Sequence, residues 1–115
     1  MTRHRPPWHE FRAALEAQGF HPSKRLGQNF MLDVNTARAI VTDAALPEGA
    51  LVVEIGVGCG FLSCEIVAAG HRLIGVEIDH RLFEIASGFL GDLADQGSGT
   101  VELIRADALS KKRAL

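Results

Sequence analysis

Hydrophobic positions change their spacing near residue 50. Before it they recur at helical intervals. Trp8, Phe11 and Leu15 fall near one face of a helix that opens after Pro6-Pro7, and Gly19 is placed to end it. Residues 21–32 have no clean period and contain a Pro, a Gly and the Gln28-Asn29 amide pair, which predicts a loop or ordered arm. Asp33 or Asn35 can cap a second helix carrying Val34, Ala37, Ile40, Val41 and Ala44 at helical spacing, and the turn Leu46-Pro47-Glu48-Gly49 stops it. From residue 50 the chain instead repeats strand, loop and helix. Strands are predicted over 51–55, 72–78 and 101–105. A helix over 61–69 ends at Gly70, and a second presents Leu82, Ile85, Ala86, Phe89 and Leu93 inward before the loop 96–99. This alternation is the sign of βαβ units. It predicts an α/β fold, partial and Rossmann-like, with three parallel strands in the order 3-2-1, flanking helices and preceding N-terminal helices. The organisation expected is 1–49 as helices and arm, then 50–115 as the first half of the Rossmann-like domain.

Composition narrows the classes without choosing among them. The chain has 115 residues, 47% hydrophobic and 23% charged, which suits one small globular domain. No apolar run approaches the roughly 20 residues needed to cross a bilayer, and the Arg3/Arg5 start leads into Pro6-Pro7-Trp8 rather than a signal-peptide core, so a cytoplasmic protein is expected. A formal charge of −2 offers no global attraction to nucleic acid. Any RNA contact must rest on local clusters, of which Arg3/Arg5, Lys24/Arg25 and Lys111-Lys112-Arg113 are visible, and each taken alone reads as solvated surface. Cys59 and Cys64 lack metal-site spacing and read as small buried hydrophobes; the five histidines show no ligand pattern, so no metal is expected.

The chemistry concentrates where the strands end. Leu51-Val52-Val53-Glu54-Ile55 runs into Gly56, Gly58 and Gly60 at alternate positions, a loop whose backbone can turn tightly and approach a ligand. A dinucleotide fingerprint needs a Gly or Ala five places after its first glycine. Phe61 and Ser63 stand there instead. Open α/β sheets bind ligands beyond the carboxyl ends of their strands, and there lie Glu54, Glu77, Asp79 and Asp107. Each suits one part of a nucleoside ligand: Glu77 can accept from both hydroxyls of a ribose and Asp107 from an adenine amino group beside Ile78 and Ala108, while Gly56 and Gly58 allow close main-chain approach. An acid at a strand end is also commonly a helix cap, a role open to Asp79. No Ser-His-Asp or Cys-His pattern appears, since Ser63 and Cys59 have no base nearby in sequence.

The Glu54-x-Gly56-x-Gly58-x-Gly60 loop looks like the first motif of S-adenosylmethionine-dependent methyltransferases. Taken with Lys24-Arg25-Leu26-Gly27-Gln28-Asn29-Phe30, Val76-Glu77-Ile78-Asp79 and Asp107-Ala108-Leu109, the chain resembles the small-subunit ribosomal RNA adenine dimethyltransferases over about residues 22–109. Those enzymes confer kasugamycin sensitivity and methylate the N6 atoms of two adjacent adenosines. The resemblance implies S-adenosyl-L-methionine as cofactor and small-subunit ribosomal RNA as partner. It implies that Asn29 and the backbone of Met31 contact the cofactor's amino-acid end, Gly56 its centre, Glu77 the ribose and Asp107 the adenine. Lys24 and Arg25 would face RNA.

Val57, Met31 and Ser63 stand where the family usually has Pro, Leu and Thr, swaps that preserve plausible shapes. The family's Asn-(Ile/Leu)-Pro-(Tyr/Phe) catalytic motif follows a fourth strand that these residues do not reach, so no catalytic residue is assigned and the 115-residue chain is expected to be an inactive fragment. One side of strand 51–55 would then be an apolar edge prone to self-association. Two other readings stand beside this one: a large-subunit adenine methyltransferase of the macrolide-resistance type, which shares Gln28-Asn29-Phe30, and a non-catalytic nucleoside- or RNA-binding module. A generic methyltransferase is disfavoured by the same arm.

Overall fold

The computed structural model describes residues 6–20 and 33–109. Its elements follow the order α1 (Trp8–Ala17), α2 (Val34–Asp43), β1 (Leu51–Ile55), α3 (Phe61–Ala68), β2 (Arg72–Glu77), α4 (His80–Asp95) and β3 (Thr100–Arg105). The strands form one parallel sheet in the order β1-β2-β3, the expected 3-2-1 arrangement, with Val53 beside Ile74 and Ile74 beside Glu102. Small differences at the ends have local causes. β2 stops at Glu77 because the Glu77 carboxylate takes the Asp79 amide at 2.9 Å, and Ile78 turns out 60% exposed. β3 starts one residue earlier because Thr100 pairs with Arg72.

Caps explain the helix starts. Asp33, rather than Asn35, caps α2 by accepting from the Asn35 and Thr36 amides, and the Thr36 hydroxyl, followed by these two amides, holds its carboxyl below the ordinary value. Asp79 caps α4 in the same way through the Arg81 and Leu82 amides. Two expected inward residues face water: Trp8 and Ile40, at 46% and 45% exposure. The buried side of α4 includes Leu90, which the pattern did not single out.

Both crossovers run in the same direction across the sheet, so α3 and α4 lie on one face, with α2 against α3 and α1 against α4. Phe11 of α1 meets Phe61 edge-on at 5.0 Å and Phe89 at 4.2 Å between ring centres. These rings, with Leu15, Val67, Leu73, Leu90 and Leu93, form one core on that face. Each such side chain contributes roughly 1.5–3 kcal/mol by leaving water. On the other face Leu51, Val53, Ile55 and Ile104 are 39–62% exposed, and register places half-buried Ile74 and Val76 among them. Among the described residues nothing covers this face or pairs with the outer edge of β1.

Candidate functional site

The loop leaving β1 bends back over the sheet, with Gly56 and Val57 both donating to the Val76 carbonyl of β2. Gly56 and Gly58 adopt φ of +78° and +62°, and a Cβ on either would meet no heavy atom within 4 Å. Both positions therefore combine a left-handed backbone with open space, the combination a closely approaching ligand requires. Gly60 serves packing instead. At φ +92° it starts α3, and a Cβ there would press on Ala86 of α4 at 3.3 Å.

Beneath the loop lies Glu77, 6% exposed. One carboxylate oxygen accepts from the Gly58 amide at 2.6 Å and the other from the Asp79 amide at 2.9 Å. Each oxygen has a second acceptor direction, so a rigidly aimed carboxylate retains capacity for a diol. A pocket of about 140 Å³ opens here, lined by Gly56, Glu77, Ile78, Asp107 and Ala108 with Ile55, Val76, Ala106 and Leu109. Asp107 keeps its place by accepting from the Leu109 amide at 2.9 Å. The fold thus brings three of the predicted cofactor residues, Gly56, Glu77 and Asp107, to one apolar pocket with two carboxylates, while Gly58 joins it through its amide. Asn29, Met31, Lys24 and Arg25 lie outside the described residues.

Sequence reasoning missed two parts of this site. Glu54 accepts a hydrogen bond from the Ser63 hydroxyl, nine positions away, so Ser63 does have a carboxylate partner in space. Ser63 is fully buried and no substrate reaches it, which makes the pair structural. Burial pushes the Glu54 carboxyl up to about 6, with Ser63 pulling it down and the neighbouring Glu77 charge adding to the rise. The second part is Gly75 of β2, where a Cβ would lie 2.5 Å from Val57 and 2.9 Å from Leu103. Gly75 leaves the hollow into which buried Val57 of the glycine loop fits. A glycine inside a predicted strand was the available signal.

Among the described residues no cluster of His, Cys, Asp or Glu could hold a metal ion, and no helix is long and apolar enough to cross a membrane. An open cradle, two aimed carboxylates and an apolar floor fit a nucleoside bearing positive charge.

Comparison with known proteins gives the family. The sequence profile described as ribosomal RNA adenine dimethylase matches residues 19–112. A ribosomal RNA small subunit methyltransferase A of Leifsonia xyli subsp. xyli is 43% identical over 101 residues, covering 88% of this chain and 36% of that protein. Its counterpart in Nocardia farcinica is 38% identical over 105 residues, covering 91% and 36%. The chain spans about a third of the length of these relatives. A solved SAM-dependent methyltransferase of Geobacter sulfurreducens, in complex with S-adenosyl-L-homocysteine, superposes with a TM-score of 0.57 at 19% identity, covering 99% of this chain and 42% of that one, a likeness of fold. On the profile and the two relatives, which share most of its length, the chain belongs to the ribosomal RNA adenine dimethylase family.

Proposed function

We propose that these residues form the methyl-donor half of an enzyme that dimethylates adenine N6 in small-subunit ribosomal RNA. The observation that carries this reading is the pocket in which Gly56, Glu77 and Asp107 meet. Glu77 would take the ribose hydroxyls of S-adenosyl-L-methionine and Asp107 its adenine amino group, with Ile78 and Ala108 against the ring. Gly56 and Gly58 would admit its central portion, and Asn29 with the Met31 backbone its amino-acid end. The cofactor supplies a methyl group activated by a sulfonium charge. The chain's part is to hold it, and the negative field of Glu54, Glu77, Asp79 and Asp107 favours a cationic ligand.

Adenine N6 is a poor nucleophile because its lone pair is delocalised, so methylation requires a base held by stacking with its amino group aligned. Among the described residues no aromatic side chain lines the pocket. On the donor-half reading the 115-residue polypeptide is expected to bind the donor without transferring methyl groups. Lys24 and Arg25 would add a modest, salt-sensitive RNA contact.

Calorimetry with S-adenosyl-L-methionine tests the donor site, and labelled methyl transfer to small-subunit RNA tests the division of labour. Binding without transfer is expected. No binding would remove the cofactor reading, and transfer by this polypeptide would remove the half-site reading.

A further inference from the structure

Two carboxylates at the base of the glycine loop are held in different ways. β1 pairs with β2 so that Glu54 lies beside Gly75, and side chains alternate along a strand, which puts Glu54, Gly75 and Glu77 on the same helix-covered face. Glu77 is held by the Gly58 and Asp79 amides, donors that suit an ionised carboxylate. Glu54 accepts the Ser63 hydroxyl, a neutral donor that serves a carboxylate and a carboxylic acid alike. Gly75 offers no side chain beside Glu54, and apolar Val57 packs over it. On its other side Glu54 ends a cavity of about 230 Å³ whose remaining lining, from α2, β1 and α3, is apolar, Ile40, Val41, Leu62 and Ile66 among it. The charged groups of the elements packed there are engaged or distant. Arg38 of α2 pairs with Glu65 of α3 at 3.5 Å, Asp43 lies exposed at the end of α2, and Arg72 donates to the Gly49 carbonyl at the opposite end of β2. Among the described residues the charge that bears on Glu54 is therefore that of Glu77, and it has the same sign.

We propose that Glu54 sets the preference of this site for the sulfonium donor over its neutral thioether product, because a cation at the glycine loop lets Glu54 and Glu77 be charged together and an uncharged ligand does not. This rests on the cofactor reading above and deepens it. S-adenosyl-L-methionine and S-adenosyl-L-homocysteine differ by one methyl group and the positive charge that goes with it, and Glu77, Asp107 and the glycines serve the parts they share. Glu54 acts on the difference through its field rather than by a contact. Burial, with the Ser63 hydroxyl opposing it and the Glu77 charge adding to it, puts the Glu54 carboxyl at about 6. Below that pH the group is neutral and adds no attraction, and donor binding there must release its proton to solvent. Donor affinity therefore rises with pH through about 6, and product affinity does not follow it. Above that pH a spent cofactor leaves two like charges unrelieved and a fresh one relieves them, which favours exchange.

The test measures Kd for both ligands by calorimetry on the 115-residue chain, from about pH 5 to about pH 7.5. In the parent the ratio of product Kd to donor Kd is expected to be about tenfold larger at the upper end, which corresponds to Glu54 ionising about tenfold more readily with donor bound. Glu54→Gln should hold the ratio of the parent's acid end at every pH. Glu102→Gln, an equal loss of charge at an exposed position of β3, should leave the parent's profile unchanged. Asp79 and Asp107 also feel a cation, and the comparison with Glu54→Gln removes their share. Donor titrations near pH 6 in two buffers of different ionisation enthalpy should show proton release in the parent and far less in Glu54→Gln. If Glu54→Gln fails to fold, Ser63→Ala carries the test: without the hydroxyl that lowers the Glu54 carboxyl, the midpoint of the rise should move to higher pH, and an unmoved midpoint overturns the proposal. A ratio that stays flat with pH in the parent, or a rise that survives in Glu54→Gln, overturns the role of Glu54 and leaves the donor site standing. A parent that binds neither ligand overturns the donor-site reading and the discrimination with it.

Discussion

The backbone amide of Gly58 donates to Glu77 Oε1 at 2.6 Å, so the loop after β1 takes its shape from the acid that ends β2. Glu77 therefore has two duties, fixing the cradle and facing the proposed ribose. Glu77→Gln should damage both, because an amide offers one acceptor oxygen where two backbone N–H groups need acceptors. A buried amide left unpaired costs about 1–3 kcal/mol. Chemical denaturation should show a loss of that size, and affinity for S-adenosyl-L-methionine should fall at least about tenfold. Unchanged stability would mean that the Gly58 contact does not shape the loop.

Glu54 makes stability depend on pH in an unusual direction for a carboxylate. Its folded value of about 6 lies above the ordinary 4.5, so the folded chain holds this proton more tightly than the unfolded chain. The group's contribution is fully present below pH 4.5 and is lost as pH rises through about 6. Glu54→Gln, which keeps an oxygen for the Ser63 hydroxyl, should be more stable than the parent by up to about 2 kcal/mol above pH 7, with the difference vanishing near pH 4.5. Denaturant midpoints for the two proteins across pH 4.5–8 measure this, and a constant difference would rule it out.

Gly75 predicts the reverse of what a strand usually shows. Replacing a strand glycine with alanine ordinarily helps. Here the new methyl would lie 2.5 Å from Val57 and 2.9 Å from Leu103, and overpacking of that kind typically costs 1–3 kcal/mol. Gly75→Ala should lower the melting temperature, whereas Gly88→Ala, with open space around it on α4, should raise or keep it. Equal effects at the two sites would show that Val57 does not occupy the hollow.

These relationships divide what a sequence displays from what it hides. The strand-loop-helix alternation after residue 50, the three positive-φ glycines of the loop after β1 and the acids at strand ends were legible because backbone conformation and local polarity are written in adjacent residues. The Asp79 cap was legible for the same reason. Partnerships across elements were not. Ser63 with Glu54, Gly75 with Val57 and Arg81 with Gln18 arise only when β1, β2, α1 and α4 are brought together, and no spacing rule encodes them. The apolar edge of β1 was foreseen, but the uncovered sheet face beside it required the register: only pairing shows that Ile55, Val76 and Ile104 lie in one row.

That row bears on how the 115-residue chain behaves alone. Parallel sheets are ordinarily covered on both faces, and exposed apolar patches beyond a few hundred Å² mark contact surfaces. Leu51, Val53 and Ile55 stand 52%, 59% and 62% exposed on a strand whose outer edge is also unpaired among the described residues. A second copy can satisfy both needs, its strand adding to the edge and its apolar row meeting the open face. We therefore expect self-association that rises with concentration. Val53→Lys with Ile104→Lys should shift it toward monomer, because two charges per copy would have to be buried, and lysine on an edge strand opposes pairing. Both residues already face water, so the melting temperature should change little. Sedimentation velocity across a hundredfold concentration range separates the cases: a parent that stays monomeric throughout would show that a second copy does not cover this face.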